Sequence, residues 1–384
     1  MTNSRTDERC AAEFPQAAEL IYLNHAAVSP WPRRTAEAIK RFADENVTHG
    51  ARHYPRWAEQ ERRLRNQLRA LINAPSPDDI ALLKNTSEAL SVVACGMDWQ
   101  LGDNVVITDQ EFPSNRIVWE SLATRGVEVR PVSLQGDAEH NLSAAIDQHT
   151  RLMSVSSVQY ASGFRLDLVK LGAMCRDRGV AFCVDAIQSL GALPLDVQAA
   201  QADFVMADAH KWLMGPEGIA VFYCAEAWRE HLRLHQFGWH MVEDLGNYDT
   251  LDWKPARSAR RFECGSPNML GIHGLSASLD LIDELGQKTI SERLLELTGY
   301  LTEALADFED ITLLSPHEEQ RRAGIVTFRP SNVDCAALVE AVKQRGVICA
   351  YRGGGVRFSP HFYNTRQQLE RALEITREEI ARLR

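Results

Sequence analysis

Seven short apolar runs, separated by segments long enough for a helix, constrain this chain more than any other feature. They lie between Ile80 and Cys224 and read "IALLKN", "NVVITD", "VEVRPVSL", "RLMSVSSVQ", "VAFCVDA", "ADFVMADA" and "GIAVFYC". Near-continuous apolar character suits strands buried on both faces, as in a mostly parallel sheet. Parallel strands need crossover connections, and the intervening segments can supply them as helices. Two such helices are "SEALSVVACGM" and "LVKLGAMCRDRG", the second closed by Gly179. The predicted fold class is α/β, a mainly parallel, seven-stranded sheet sandwiched by helices.

The rhythm changes after Asn268. Leu275, Leu279 and Ile282 recur at helical spacing, as do Ile290, Leu294, Leu297, Leu301, Leu305 and Phe308. Short strand-like runs follow, "GIVTFRP", "GVICAY" and "GVRFSP", then a helix with Leu369, Leu373, Ile380 and Leu383 on one face. The pattern predicts an N-terminal arm over residues 1–20, a large α/β domain over 21–268 and a smaller α+β domain over 269–384. The stretch from His231 to Ala259 has no clear period and reads as a long functional loop.

Composition removes several function classes. A formal net charge of −10 argues against nonspecific nucleic-acid binding, which needs a basic footprint. No run of about 18 apolar residues is present, so no membrane span is expected. The opening "MTNSRTDERC" lacks an apolar signal region. The eight cysteines are scattered with no C-x-x-C pair, and a reduced cytoplasmic setting is expected. His49 and His53 are four apart, with no carboxylate seen at matching spacing, so no metal site is predicted.

In open α/β sheets, ligands bind beyond the carboxyl ends of the strands. That rule gathers Thr86 and Ser87 after the first run, Phe112 after the second, Gln159 after the fourth, Asp185 after the fifth and Lys211 after the sixth. Each has an ordinary structural reading alone. A Thr-Ser pair commonly caps a helix, and a strand-end lysine is commonly solvated. Together they form a coherent chemistry. A lysine in a dry site loses its proton and becomes a Schiff-base nucleophile. An aspartate can hold a protonated pyridine nitrogen and keep the ring an electron sink. Hydroxyls at a helix N-terminus suit a phosphate. Phe112 could stack on a flat ring. These are the parts of a pyridoxal 5′-phosphate (PLP) site.

The blocks "VDAIQSLGALPLDV" and "ADFVMADAHKWLMGPEGIAVFY" resemble the class V aminotransferase group of fold-type I PLP enzymes. So do "YLNHAAVSPWP", "KNTSEAL", "DQEFPSN", "RRFECGSPN" and "VRFSPHFYNT", in the same order across about residues 20 to 384. The group includes cysteine desulfurases, kynureninases and isopenicillin N epimerase-like proteins. The resemblance implies that Lys211 forms the internal aldimine and moves the Cα proton, by way of a quinonoid, and that Asp185 pairs with the pyridinium. It places Gln188 on the ring oxygen, Phe112 on the ring face, and Thr86, Ser87 and His210 on the phosphate. Ser266 would reach the phosphate of a neighbouring subunit, which implies a homodimer. Arg357 would clamp the carboxylate of an amino-acid substrate. Asn24 would line the substrate pocket, with Tyr160 near the substrate as an acid/base group or a packed aromatic.

Two departures from the desulfurase pattern stand out. Asp208 occupies a phosphate-side position where desulfurases commonly carry a hydroxyl residue. Gly353, Gly354 and Gly355 replace the loop that carries the desulfurase cysteine, and Cys349 lies inside a strand-like run. The sequence expectation is therefore a transaminase or a C–S or C–C lyase, and not a thiol-dependent cysteine desulfurase. An epimerase and a non-catalytic PLP-fold protein are the alternatives. A nicotinamide dehydrogenase would need a glycine-rich turn after its first strand, and "LLKNTSEAL" has none.

Overall fold

The computed structural model describes residues 10–17 and 19–384, so the first nine residues of the expected arm lie outside it. All seven apolar runs form strands of one sheet: β2 (Ile80–Leu83), β3 (Asn104–Thr108), β4 (Glu128–Val132), β5 (Thr150–Ser156), β6 (Ala181–Asp185), β7 (Phe204–Asp208) and β8 (Ala220–Cys224). Their order is β2-β8-β7-β6-β5-β3-β4, and only β8 runs against its neighbours. Alternate residues on a strand enter different cores. Phe182 and Val184 join one apolar cluster, while Ala181 and Cys183 join another on the opposite face. Burial of both faces explains why these strands read as continuous apolar runs.

Helices cover both faces. After a short strand near the N-terminus, β1 (Ile21–Tyr22), come α1 (Arg33–His49) and α2 (Tyr54–Leu71). The crossovers include α3 (Thr86–Gly96), α4 (Ser114–Glu120), α5 (Ala138–Ala144) and α6 (Leu168–Asp177). The side chains of Asn85, Asp137 and Asp167 cap α3, α5 and α6 by accepting backbone N–H groups. Gly179, with φ +65°, takes the chain out of α6. Arg65 on α2 pairs with Glu61 and Glu263, which ties that helix to the turn before α7 (Met269–Leu285). His53 on the segment after α1 contacts Glu45, a carboxylate the sequence reading overlooked.

Gly172 on α6 sits where the helix meets the backbone at Ala200. A Cβ built there would lie 1.7 Å from the Ala200 carbonyl oxygen. Because that neighbour is backbone, Gly172→Ala is expected to cost about 1–3 kcal/mol of stability. A lower denaturant midpoint at unchanged m-value would show it.

The C-terminal segment builds a second, four-stranded antiparallel sheet of β9 (Ile311–Leu313), β10 (Val326–Pro330), β12 (Ala350–Arg352) and β13 (Gly355–Phe358). Its core is shared with α8 (Gln287–Ala306), α9 (Cys335–Gln344) and α10 (Arg366–Leu383). The run "GVICAY" is not one strand. It splits at Cys349 into β11 (Val347–Ile348), which pairs in parallel with β1, and β12, which pairs with β13. Through β1 the chain's beginning joins its C-terminal core, with Ile21 and Leu23 among that core's buried residues. Among the described residues, no helix is long and apolar enough to cross a membrane.

Candidate active site

The carboxyl ends of β2, β3, β5, β6 and β7 open onto one cavity of about 230 Å³. Of the residues singled out from sequence, Thr86, Ser87, Phe112, Tyr160, Asp185, Gln188, Asp208, His210, Lys211 and Arg357 line it. The turn after β7 presents Lys211. There Met214 takes a positive φ of 54°, and its N–H bonds back to the Lys211 carbonyl at 3.0 Å. A left-handed methionine is a strained conformation of the kind that gathers at functional sites. Trp212, fully buried, anchors the turn by donating its indole N–H to Gln188 Oε1 at 3.0 Å.

Lys211 is 8% exposed. Burial holds its pKa well below the ordinary lysine range, with Asp185 opposing that shift and Arg357 adding to it. Asp185 is 1% exposed and moves the other way, because burial disfavours its charged form. Its Oδ1 accepts the Ile187 N–H at 3.0 Å, and nothing among the described residues donates to Oδ2. The pair thus holds a nucleophilic amine beside a carboxyl with one oxygen to spare.

The N-cap of α3 is Asn85, whose Oδ1 accepts the Glu88 N–H at 2.8 Å. Thr86 and Ser87 are therefore inside the helix and released from capping. Thr86 Oγ1 is buried without a hydrogen-bond partner, and Ser87 donates to Ser114 Oγ at 2.8 Å. Asp208 accepts the Thr86 N–H at 2.9 Å, and burial pushes its pKa up to about 6. His210 Nδ1 is 3.5 Å from Asp208 Oδ2. Burial and Lys211 push His210 down to about 4, so the contact joins a neutral imidazole to the carboxyl. Phe112 is 40% exposed, with Lys211 Nζ 5.6 Å from its ring centroid. Tyr160 meets the same ring edge-on at 5.2 Å.

Arg357 on β13 is 1% exposed and donates Nη1 to the Tyr160 carbonyl at 2.7 Å. Its Nε has no partner. Burial and the neighbouring Arg352 lower its pKa to about 10, so it stays charged at neutral pH.

Three sequence-derived residues do not reach the cavity wall. Gln159 is fully buried one layer behind, its amide 3.4 Å from Glu111 and its Oε1 without a partner. Asn24 sits in a turn that instead brings Ala26 and Ala27 to the wall, and its Oδ1 is also unpartnered. Ser266 lines a separate cavity with Lys84 and Glu88. Conversely, the sequence reading missed Arg352, Ser114 and Glu111. Arg352 and Ser114 line the Lys211 cavity. Glu111 lies beneath Phe112 and accepts from Thr108 at 2.8 Å, Asn115 at 2.9 Å, and Ser156 N–H and Oγ at 2.8 and 2.5 Å. It fixes the turn that carries Phe112.

The sequence pattern of the family described as aminotransferase class-V matches residues 21–372. The chain belongs to the class V aminotransferases. Family members that resemble it end to end include a probable cysteine desulfurase of Methanothermobacter thermautotrophicus, 30% identical over 394 residues and 96% of each chain. Another, from Pyrococcus abyssi, is 31% identical over 404 residues and 99% of each chain. Among solved structures, the apo cysteine desulfurase of Thermococcus onnurineus is 27% identical, covers 98% of each chain and superposes with a TM-score of 0.87. A cystine C–S lyase in complex with its product, cysteine persulfide, has a TM-score of 0.88 at 24% identity, covering 94% of this chain and 99% of its own. The fold is that of fold-type I PLP enzymes, and the cofactor is PLP.

The site fits that cofactor on its own evidence. It offers an orphaned hydroxyl at a helix N-terminus, an exposed flat aromatic face, a buried carboxyl with a free oxygen, and an amine held toward its neutral form. These relatives overturn one expectation from sequence, the exclusion of cysteine desulfurase chemistry. The physical reason lies in what the triple glycine is. Gly353 and Gly354, both at positive φ, make the turn of the β12–β13 hairpin. The turn itself supplies no side chain to the bond-breaking chemistry. Breaking a bond at Cα or Cβ depends on the lysine, the carboxyl and the cofactor.

Proposed function

We propose that this protein cleaves the carbon–sulfur bond of a cysteine-type amino acid, with PLP attached at Lys211. The carrying observation is the convergence of Lys211, Asp185 and Arg357 on one small cavity, in a chain whose end-to-end relatives are named cysteine desulfurases. PLP supplies an electron sink for the charge released when a bond to Cα breaks. The chain's own groups do the rest. Lys211 Nζ, shifted toward its neutral form by burial, would hold the cofactor and would carry a proton to and from Cα. Asp185 Oδ2 would pair with the pyridine nitrogen. Thr86, Ser87 and His210 would hold the phosphate at the start of α3. Asp208 caps the same helix beside it. Gln188 has one amide hydrogen left for the ring oxygen, since the other goes to the Ala26 carbonyl at 3.1 Å. Phe112 would cover the ring, with Glu111 and Gln159 bracing its turn. Tyr160 shapes the substrate side, with Asn24 fixing the loop that carries Ala26 and Ala27. A homodimer would bring Ser266 to the partner subunit's phosphate.

Arg357 holds the substrate carboxylate. Arg357→Lys is expected to raise KM by about 10-fold or more with a smaller change in kcat, because an ammonium cannot reproduce the planar fork. Steady-state kinetics on L-cysteine would show the split.

The direct experiment supplies the PLP-loaded protein with L-cysteine and a reducing thiol, and measures sulfide, alanine and pyruvate. Sulfide with alanine means sulfur passed to a thiol acceptor. Sulfide with pyruvate means elimination. Either supports C–S cleavage; absence of sulfide from all cysteine-type substrates contradicts it.

A further inference from the structure

A second cavity, of about 560 Å³, lies behind the catalytic strand ends. The segment after β5 and the start of α6 meet Gln320 and Arg321 there. Its inner wall holds Ser157 and Ser189, both buried. Their hydroxyls share a hydrogen bond of 2.7 Å, and the Ser157 N–H donates to the Asp185 carbonyl at 2.9 Å. The Ser189 N–H donates to the Ala186 carbonyl at 2.9 Å, inside the turn that carries Gln188. The cavity thus backs onto the backbone that presents Asp185 and Gln188, yet it shares no lining residue with the Lys211 cavity.

Charge in this wall is uneven once its ion pairs are set. Among the described residues three acids line it, and each is engaged. Glu139 accepts from both terminal nitrogens of Arg321 and from the Asp167 N–H. Asp167 caps α6 by accepting the Lys170 N–H at 3.0 Å. Asp196 accepts the N–H groups of Gln198 and Ala199 and the Asn73 amide. Of the cations, Arg321 has Glu139, and Lys170 Nζ lies 3.6 Å from Asp137. Arg165 has neither kind of partner: its guanidinium makes no hydrogen bond and no ion pair among the described residues. Its backbone is fixed, by an antiparallel bridge to Val158 and by its N–H to the Arg321 carbonyl at 3.0 Å. The side chain is half-buried, and burial lowers its pKa against the field of Asp167. A guanidinium partly stripped of water, with its fork unused, is stabilised by an anion that completes the fork.

Beside this charge the wall is apolar, with Leu193, Pro194 and Leu195 lining it in succession. A concave site of several hundred cubic ångströms that joins apolar surface to a few polar groups is the usual form of a small-molecule site. The geometry points to a second ligand site, in which Arg165 holds the carboxylate of a small organic acid and Leu193, Pro194 and Leu195 cover its apolar body. The site stands apart from the C–S cleavage reading and does not depend on it.

The test uses PLP-loaded wild type, Arg165→Gln, Arg165→Lys and Arg357→Lys, with binding read by calorimetry at low salt, where charge contacts are least screened. The probes are hexanoate and phenylacetate, neutral hexanamide, and inorganic phosphate. Arg357 can also take a carboxylate, so Arg357→Lys separates the two cavities. Arg357→Lys is expected to keep binding of both carboxylates. Arg165→Gln should weaken it by about 10-fold or more, as for loss of a charge-assisted hydrogen bond, and Arg165→Lys should recover part of it. Hexanamide lacks the charge and phosphate lacks the apolar body, so each should bind more weakly than hexanoate. The Arg165→Gln protein should keep its circular dichroism and visible band, because the side chain has no partner to lose. Carboxylate binding lost in Arg357→Lys and kept in Arg165→Gln would belong to the Lys211 cavity and would overturn the proposal. Equal binding of hexanoate and hexanamide, or of hexanoate and phosphate, would overturn it too, the first by removing the charge contact and the second by removing the apolar one. No binding of either carboxylate to any of the four proteins overturns it outright.

Discussion

Lys211→Ala is expected to lose the visible band of the PLP-loaded protein and to lower turnover by about 10³-fold or more. Among the described residues it is the one amine lining the cavity, and it stands 5.6 Å from the Phe112 ring centroid. Its side chain makes no hydrogen bond among the described residues, so truncation should leave the fold intact, which circular dichroism would verify. The same burial gives a pH signature. A lysine amine attacks only when deprotonated, so PLP capture should speed up as pH rises through the Lys211 pKa. Because burial lowers that pKa, capture should reach its plateau below the ordinary lysine value of about 10.4. A plateau reached only above that value would mean the amine is solvated.

Asp185→Asn carries the second large effect. The new side-chain amide oxygen can still accept the Ile187 N–H, so the loop after β6 should stay in place. A neutral amide cannot balance a protonated pyridine nitrogen. PLP should still bind, and turnover should fall by about 10²- to 10³-fold, as for loss of one preorganised electrostatic partner. Rapid-mixing spectra should place the deficit in the step that breaks a bond at Cα. A variant with full turnover would remove Asp185 from the chemistry.

The central sheet was legible because a strand buried on both faces must be apolar throughout. "VAFCVDA" and "GIAVFYC" mark β6 and β8 almost residue for residue. The strand-end rule then gathered the site, since a parallel sheet delivers its carboxyl ends to one edge. What stayed hidden depends on long-range or one-residue register. The pairing of Ile21 with Val347 joins the two ends of the chain through two residues and leaves no local pattern. The split at Cys349 within "GVICAY" is set by that pairing. Gln159 lies three residues beyond the end of β5 rather than at it, and its amide turns back toward Glu111 instead of the cavity. Arg352 was readable in principle. A two-glycine turn fixes which residues share a hairpin face, and "YRGGGVRF" places two arginines on one side. The glycines were instead read as a missing cysteine loop, and the exclusion of desulfurase chemistry drawn from them did not survive comparison with the relatives.

The most direct test of the account is to reduce the PLP-loaded protein with borohydride and map the modified peptide by mass spectrometry. The account predicts a phosphopyridoxyl group on the peptide containing Lys211, and none on Lys84, the other lysine near the start of α3. Modification elsewhere, or no modification at all, would contradict the assignment of this cavity as the catalytic centre.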